Sequence, residues 1–158
     1  MSDQDQIRTM AQDVKQAAAV LGTQSSRIKD AALHRLAQLL ESEQQEVQKA
    51  NARDLAQAQD MGLSQAMLDR LRLEDKTMQG MAQACRDVAQ LEDPVGGIEQ
   101  MSKRPNGMLV GRMRIPLGVV AMIYESRPNV TVEAAILCLK AGNGCILRGG
   151  SEAFASNQ

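Results

Sequence analysis

Up to Leu91 the apolar side chains recur at helical intervals among Gln, Glu, Lys and Arg, whereas beyond Gly107 they run together. Residues 3–20 and 25–59 are rich in strong helix formers, and Ile28, Ala32, Leu36, Leu39 and Leu40 fall at helical spacing. Two or three amphipathic helices are predicted there. Leu21–Ser26 separates the first from the second with a Gly stop and Ser/Thr caps. A second break at Asp60–Ser64 precedes a short helix near Ser64–Leu71, and another helix follows over about Asp75–Leu91. In that last helix Met78, Met81, Ala82, Cys85, Val88 and Ala89 form one stripe. It must stop at Glu92–Gly97, where Pro94 and a Gly pair forbid continuation.

Past Gly107 the period shortens. Met108–Arg114 and Leu117–Tyr124 are β-branched, apolar and punctuated by Gly and Pro, which predicts strands near 108–114 and 117–124. Val130–Gly142 is apolar on nearly every side except Glu133 and Lys140, the pattern of a buried helix ending on Gly. Cys145–Arg148 then reads as a short buried strand, and Ser151 as the N-cap of another helix. Strand, buried helix, strand, helix is the crossover unit of an α/β fold with a parallel sheet. Both strand-to-helix loops, Tyr124–Asn129 and Arg148–Ser151, are then expected at the carboxyl edge of the sheet, where such folds bind ligands. Arg127 and Arg148 would face one crevice.

At 158 residues the chain suits one domain. Its net charge of −1 offers no long-range attraction to nucleic acid or to a membrane surface, so any anion site must be local. The 3 cysteines, Cys85, Cys138 and Cys145, are odd in number and lack a Cys-x-x-Cys spacing, which argues against a disulfide framework or a zinc site and for a reducing, cytoplasmic setting. No segment approaches the ~18 apolar residues of a membrane span, and the polar N-terminus has no apolar core of a signal peptide. With no Trp, 1 Phe and 1 Tyr, the core must be aliphatic and Met-rich, and stacking platforms for nucleic-acid bases are missing.

The chemistry-bearing residues cluster at the predicted loops. Arg148-Gly149-Gly150-Ser151 has the makings of a phosphate cradle: glycines admit close backbone approach, amides at a helix start point outward, and Arg adds a forked donor. Alone this is a weak motif, and an ordinary strand-to-helix turn with a surface Arg would look the same. Neither a Walker loop nor Gly-x-Gly-x-x-Gly occurs. In Glu125–Asn129 a polar cluster follows an apolar strand, and Pro128 bars Arg127 from easy helical geometry. The cysteines fall in apolar stripes and are expected to be inert packing groups. His34 has no second ligand beside it, and Glu41/Glu43 and Glu74/Asp75 read as solvated helix faces. The residues therefore present no complete catalytic set and no metal site.

Two stretches carry a resemblance. RMRIPLGVVAMIYESRPNVTVEAAILCLKAGNGCILRGGSEAFASN (Arg112–Asn157) and KANARDLAQAQDMGLSQAMLDRLRL (Lys49–Leu73) closely resemble the γ-glutamyl phosphate reductase (glutamate-5-semialdehyde dehydrogenase) family of the aldehyde dehydrogenase superfamily, with YESRPNVT and LRGGSEA the most specific parts. The resemblance covers nearly the whole chain. It implies an oxidoreductase that reduces γ-glutamyl phosphate with NADPH to glutamate 5-semialdehyde and phosphate in proline biosynthesis. A thiolate attacks the acyl phosphate, phosphate leaves, and hydride reaches the thioester. Since members run to roughly twice this length or more, with the catalytic Cys in a later domain, the chain is expected to be an inactive N-terminal fragment. Residues 1–158 would be the N-terminal part of the NADP-binding domain, a helical layer over 1–105 followed over 106–158 by the first strands of an incomplete, doubly wound parallel sheet.

Residue by residue, the turn Arg148–Ser151 resembles the superfamily's Lys-Pro-x-Glu turn, which holds the adenosine ribose. Arg148 takes the Lys position and Ser151 the Glu position, and with Gly149 and Gly150 they offer a 2′-phosphate donors where a Glu would repel it, which implies NADP. The loop holding Ser126, Arg127 and Pro128 stands where the superfamily has Pro-Trp-Asn-Phe-Pro along the nicotinamide path. Aligning on Pro128 puts Ser126 at the Asn position, while Asn129 is the nearest Asn and is expected to donate a hydrogen bond to substrate or oxyanion. Arg127 is expected to meet an anionic group of substrate or cofactor. The resemblance implies a small-molecule substrate, no nucleic-acid or membrane partner, and a homo-oligomer in the full enzyme. The competing reading is a self-contained, non-catalytic helical or nucleotide-binding interaction module.

Overall fold

The computed structural model describes residues 2–125 and 127–158. Helix α1 (Asp3–Leu21) starts on a reciprocal cap, in which the Asp5 amide donates to Ser2 Oγ at 3.3 Å and the Ser2 amide donates to the Asp5 carboxylate at 3.1 Å. Four more helices follow at the predicted breaks: α2 (Ser26–Ser42), α3 (Gln44–Asp60), α4 (Gln65–Leu71) and α5 (Asp75–Gln90). In α5 the predicted stripe is the buried one, Met78, Met81, Ala82, Cys85, Val88 and Ala89. It packs on Leu33 and Ala37 of α2 and on Ile136, the main core of the molecule.

The buried stripe of α2 differs from the predicted one. Its fully buried positions are Lys29, Leu33 and Ala37, while Ile28 is 49% and Leu39 38% exposed. A lysine opens the stripe because its charge is matched at depth. Lys29 Nζ pairs with the Asp93 carboxylate and donates to the Lys140 carbonyl at 3.2 Å. Lys140, on the next core helix, pairs with Asp30 at 2.6 Å and donates to the Ala89 carbonyl at 2.9 Å. Each lysine thus satisfies an orphan carbonyl at a helix C-terminus, where a cation is also favoured by the helix dipole. The Asp93 carboxyl lies below its ordinary range. Burial alone would raise it, but hydrogen bonds from Lys29, the Val95 amide and Ser26, with the Lys29 charge, outweigh that effect.

The strands form two separate pairs. β1 (Ile98–Lys103) and β2 (Leu109–Met113) make an antiparallel hairpin, with a register shift between Glu99 and Ser102 where Gln100 takes φ 56. β3 (Val119–Ile123) pairs in parallel with β4 (Gly144–Arg148) through the crossover helix α6 (Pro128–Lys140). The parallel pair is the predicted α/β unit. The strand predicted near 108–114 belongs instead to the hairpin, and β1 lacked a sequence signal because every one of its residues is exposed. Gly142, at φ 71, lets the chain leave α6 sharply: its amide donates to Leu139 and the Asn143 amide to Cys138, so the last carbonyls of the helix are satisfied. Helices α1 and α6 both pack on β4.

The predicted final helix is reduced to a single 3-10 turn at Ser151–Ala153. Its N-cap is Gly150 rather than Ser151, and no side chain caps it. The cause lies on α3, where the buried Asp54 accepts from the Ala155 amide at 2.9 Å, the Ser156 amide at 2.7 Å and the Ser156 hydroxyl at 2.6 Å. A carboxylate that takes two successive amides competes with the helical ladder for them. Asn51, one turn earlier on α3, donates to Ser156 Oγ at 3.0 Å and accepts from the Leu73 amide at 2.8 Å.

Candidate functional site

The register of the parallel pair places Ile123 beside Arg148. One residue further on, the Tyr124 amide still donates to the Arg148 carbonyl at 3.1 Å. The loops after β3 and β4 therefore leave the sheet side by side at its carboxyl edge, as the crossover required. Side chains then bind them together. Tyr124 Oη lies 2.6 Å from Thr131 Oγ1 on α6, and Thr131 donates to Asn157 Oδ1 at 2.6 Å. Gly149 sits in the angle of this chain. A Cβ there would meet Asn157 Nδ2 at 2.5 Å and the Tyr124 ring at 3.4 Å, so a larger residue would have to displace the Asn157 side chain, which glycine leaves in place.

In the loop after β3, Arg127 is the N-cap of α6, held extended at φ −137 and ψ 92, and the buried Pro128 fills the first helical position, where its missing N–H costs no hydrogen bond. Ser126 lies outside the described residues. Asn129 points along α6, its amide donating to Glu133 at 3.0 Å. In the loop after β4, Arg148 and Ser151 are exposed and Gly149 and Gly150 half-buried. The Glu152 carboxylate folds back against the Cα of Gly150, and its Oε2 is buried without a hydrogen-bond partner among the described residues.

A cavity of about 300 Å³ opens at this edge between α4 and the start of α6, lined by Met67, Arg70, Tyr124, Glu125, Arg127 and Val130. Arg127 lines it; Asn129 and Arg148 do not. Arg70 and Met67 are the residues that sequence reasoning missed. The available signal was their spacing: they stand three apart on α4, on the face away from Leu68 and Leu71, which are buried against Ala58 and Ala153.

No cysteine is among the residues that line this cavity. Cys85 and Cys138 are buried and Cys145 half-buried, and burial raises all three thiols above their ordinary range, aided at Cys138 by neighbouring Cys145. His34 is exposed on α2. Among the described residues no three His, Cys, Asp or Glu side chains converge as metal ligands, and no helix is long and apolar enough to cross a membrane.

No protein-family model matches the chain. It is 55% identical over 157 residues, 99% of its length, to the γ-glutamyl phosphate reductase of Oleidesulfovibrio alaskensis, and covers 38% of that protein. To the γ-glutamyl phosphate reductase of Xanthomonas axonopodis pv. citri it is 56% identical over 151 residues, covering 36%. Among solved structures, the γ-glutamyl phosphate reductase of Thermotoga maritima superposes with a TM-score of 0.90 at 42% identity, over 93% of this chain and 36% of that one. The Saccharomyces cerevisiae γ-glutamyl phosphate reductase gives 0.91 at 34% identity, over 99% and 39%. A probable aldehyde dehydrogenase from Listeria monocytogenes gives 0.68 at 15% identity, a likeness of fold alone. The chain thus spans 38% of the length of the first of these relatives, and its α/β fold is the one these structures share.

Proposed function

We propose that the polypeptide carrying this chain is a γ-glutamyl phosphate reductase, which reduces γ-glutamyl phosphate with NADPH to glutamate 5-semialdehyde and releases phosphate, a step of proline biosynthesis. The observation that carries this reading is the carboxyl edge of the β3–β4 pair, where the Arg127 loop and the Arg148 turn are locked together by Tyr124, Thr131 and Asn157 in a chain 55% identical to such a reductase.

The turn after β4 fits the 2′-phosphorylated ribose of NADP. Arg148 is exposed and makes no ion pair among the described residues, so its guanidinium is free to take the phosphate, with Ser151 beside it. The unpartnered Glu152 Oε2 needs a donor, and a ribose hydroxyl is one. The cofactor, when bound, supplies hydride to the acyl carbon. This chain's residues bind and orient: the Arg148–Ser151 turn fixes the adenosine end, and Arg127, at the positive end of α6, holds an anionic group at the reacting end. Asn129 would have to leave Glu133 to donate to a substrate oxygen. This reading takes the attacking thiolate from elsewhere in the polypeptide, which the burial and raised range of all three thiols support.

The test is NADPH oxidation by that polypeptide with γ-glutamyl phosphate and, in reverse, phosphate-dependent reduction of NADP with the semialdehyde. Turnover in both directions supports the reading, and its absence in both sinks it. Residues 1–158 alone should show none. For the cofactor, Arg148→Ala should weaken NADP binding by about tenfold or more, the size of a lost charge-assisted contact, and leave NAD unchanged. Equal effects on both nucleotides would remove the phosphate assignment.

A further inference from the structure

The cavity between α4 and α6 is too small for a dinucleotide, since about 300 Å³ stands at the lower end of ligand sites. It suits a metabolite of the size of a phosphorylated amino acid. Its charges are two guanidinium groups, Arg70 and Arg127, and one carboxylate, Glu125. None of the three has an ion-pair partner among the described residues, although all three are exposed and long enough to find one. An α-amino acid whose side-chain carboxyl carries phosphate as an acyl phosphate has the inverse set, two anionic groups and one ammonium. Arg127 caps α6, whose N-terminus favours the phosphate. That leaves Arg70, across the cavity on the exposed face of α4, for the carboxylate, and Glu125 for the ammonium.

Resting on the reductase reading above, we propose that Arg70 and Glu125 are the specificity-determining residues for the substrate's amino-acid end, Arg70 pairing with the α-carboxylate and Glu125 with the α-ammonium. A site built to pair both groups rejects an analogue lacking either, because its own charge is then left without a partner. Met67 and Val130 supply the apolar wall for the methylenes between the two ends.

The experiment titrates the polypeptide that carries this sequence with L-glutamate, with glutarate, which lacks the ammonium, and with 4-aminobutyrate, which lacks the α-carboxylate. The wild type should prefer L-glutamate to either analogue by about tenfold or more. Arg70→Gln should abolish the discrimination against 4-aminobutyrate and keep that against glutarate, and Glu125→Gln should do the converse. Arg35→Gln, on the exposed side of α2, is the control that changes neither. In the reductase assay both variants should raise KM for γ-glutamyl phosphate and leave KM for NADPH unchanged. Equal binding of the three ligands by the wild type, no binding of L-glutamate, or unchanged discrimination in Arg70→Gln overturns the proposal. If turnover is present but discrimination is not, the assignment of Arg70 and Glu125 fails and the reductase reading stands. If discrimination is present without turnover, the amino-acid site stands and the reductase reading fails. Circular dichroism matching the wild type shows that the substitutions, at exposed positions, leave the fold intact.

Discussion

Lys29 is 1% exposed, and a buried ammonium is tolerable only when its charge is paired. Asp93 pairs the charge, and the Lys140 carbonyl accepts a further hydrogen bond. Lys29→Ala should therefore destabilise the chain by about 3 kcal/mol, the lower end for breaking a buried pair, because the Asp93 side chain keeps 13% exposure and can rehydrate. Lys29→Met, which keeps the packing, separates the charge from the alkyl stem; urea unfolding reads both. The pH dependence has a fixed sign. The folded Asp93 carboxyl titrates below its ordinary value of 3.8, so its stabilising contribution is full above that pH and is lost as pH falls through the folded value. The stability gap between wild type and Asp93→Asn should accordingly be wide at neutral pH and close below pH 3.8. A gap that stays constant on acidification would show that the charge of Asp93 contributes nothing.

Among the elements, the segment after β4 shows how tertiary capture overrides local preference. Ser-Glu-Ala reads as a helix start, yet only one 3-10 turn forms because Asp54 holds the amides of Ala155 and Ser156. Asp54→Asn should cost about 2 kcal/mol, the value of charge-assisted bonds, and hydrogen exchange should speed up at Ala155 and Ser156 while the amides of α5 stay protected. Legibility follows the same line. The stripe of α5 and the β3–α6–β4 crossover were readable because burial on one face imposes a period, and the crossover alone located the carboxyl edge. The role of Lys29 was not readable, since its partner lies far along the chain at Asp93. Nor was β1, whose side chains are all exposed and obey no burial pattern. At the candidate site the loop residues announced themselves as polar clusters after apolar strands. Arg70 lies in a short helix beside Asp69, another ordinary exposed charge, and only the packing of Leu68 and Leu71 turns it toward the cavity.

At the scale of the whole molecule, stability is unevenly distributed. The core joins α2, α5 and α6, and β3–β4 is held to it by α6 and to α1 by close packing at Gly144, where a Cβ would meet Val14. The β1–β2 hairpin has no such support. Ile98, Met101, Leu109 and Met113 are each more than half exposed, and the ion pair between Glu99 and Arg114 joins the hairpin only to the residue that follows β2. A two-stranded ribbon in water is marginal by itself, since its cross-strand pairs scarcely offset the entropy of ordering it. In the 158-residue chain the hairpin amides should therefore exchange at least about a hundredfold faster than those of β3 and β4, with the core helices slower still. Within the longer polypeptide proposed above, the same apolar side chains would find cover and the hairpin amides should gain protection. Equal protection of the two strand pairs in the isolated chain would show that the hairpin is stable on its own, and that its exposed Ile, Leu and Met need no partner.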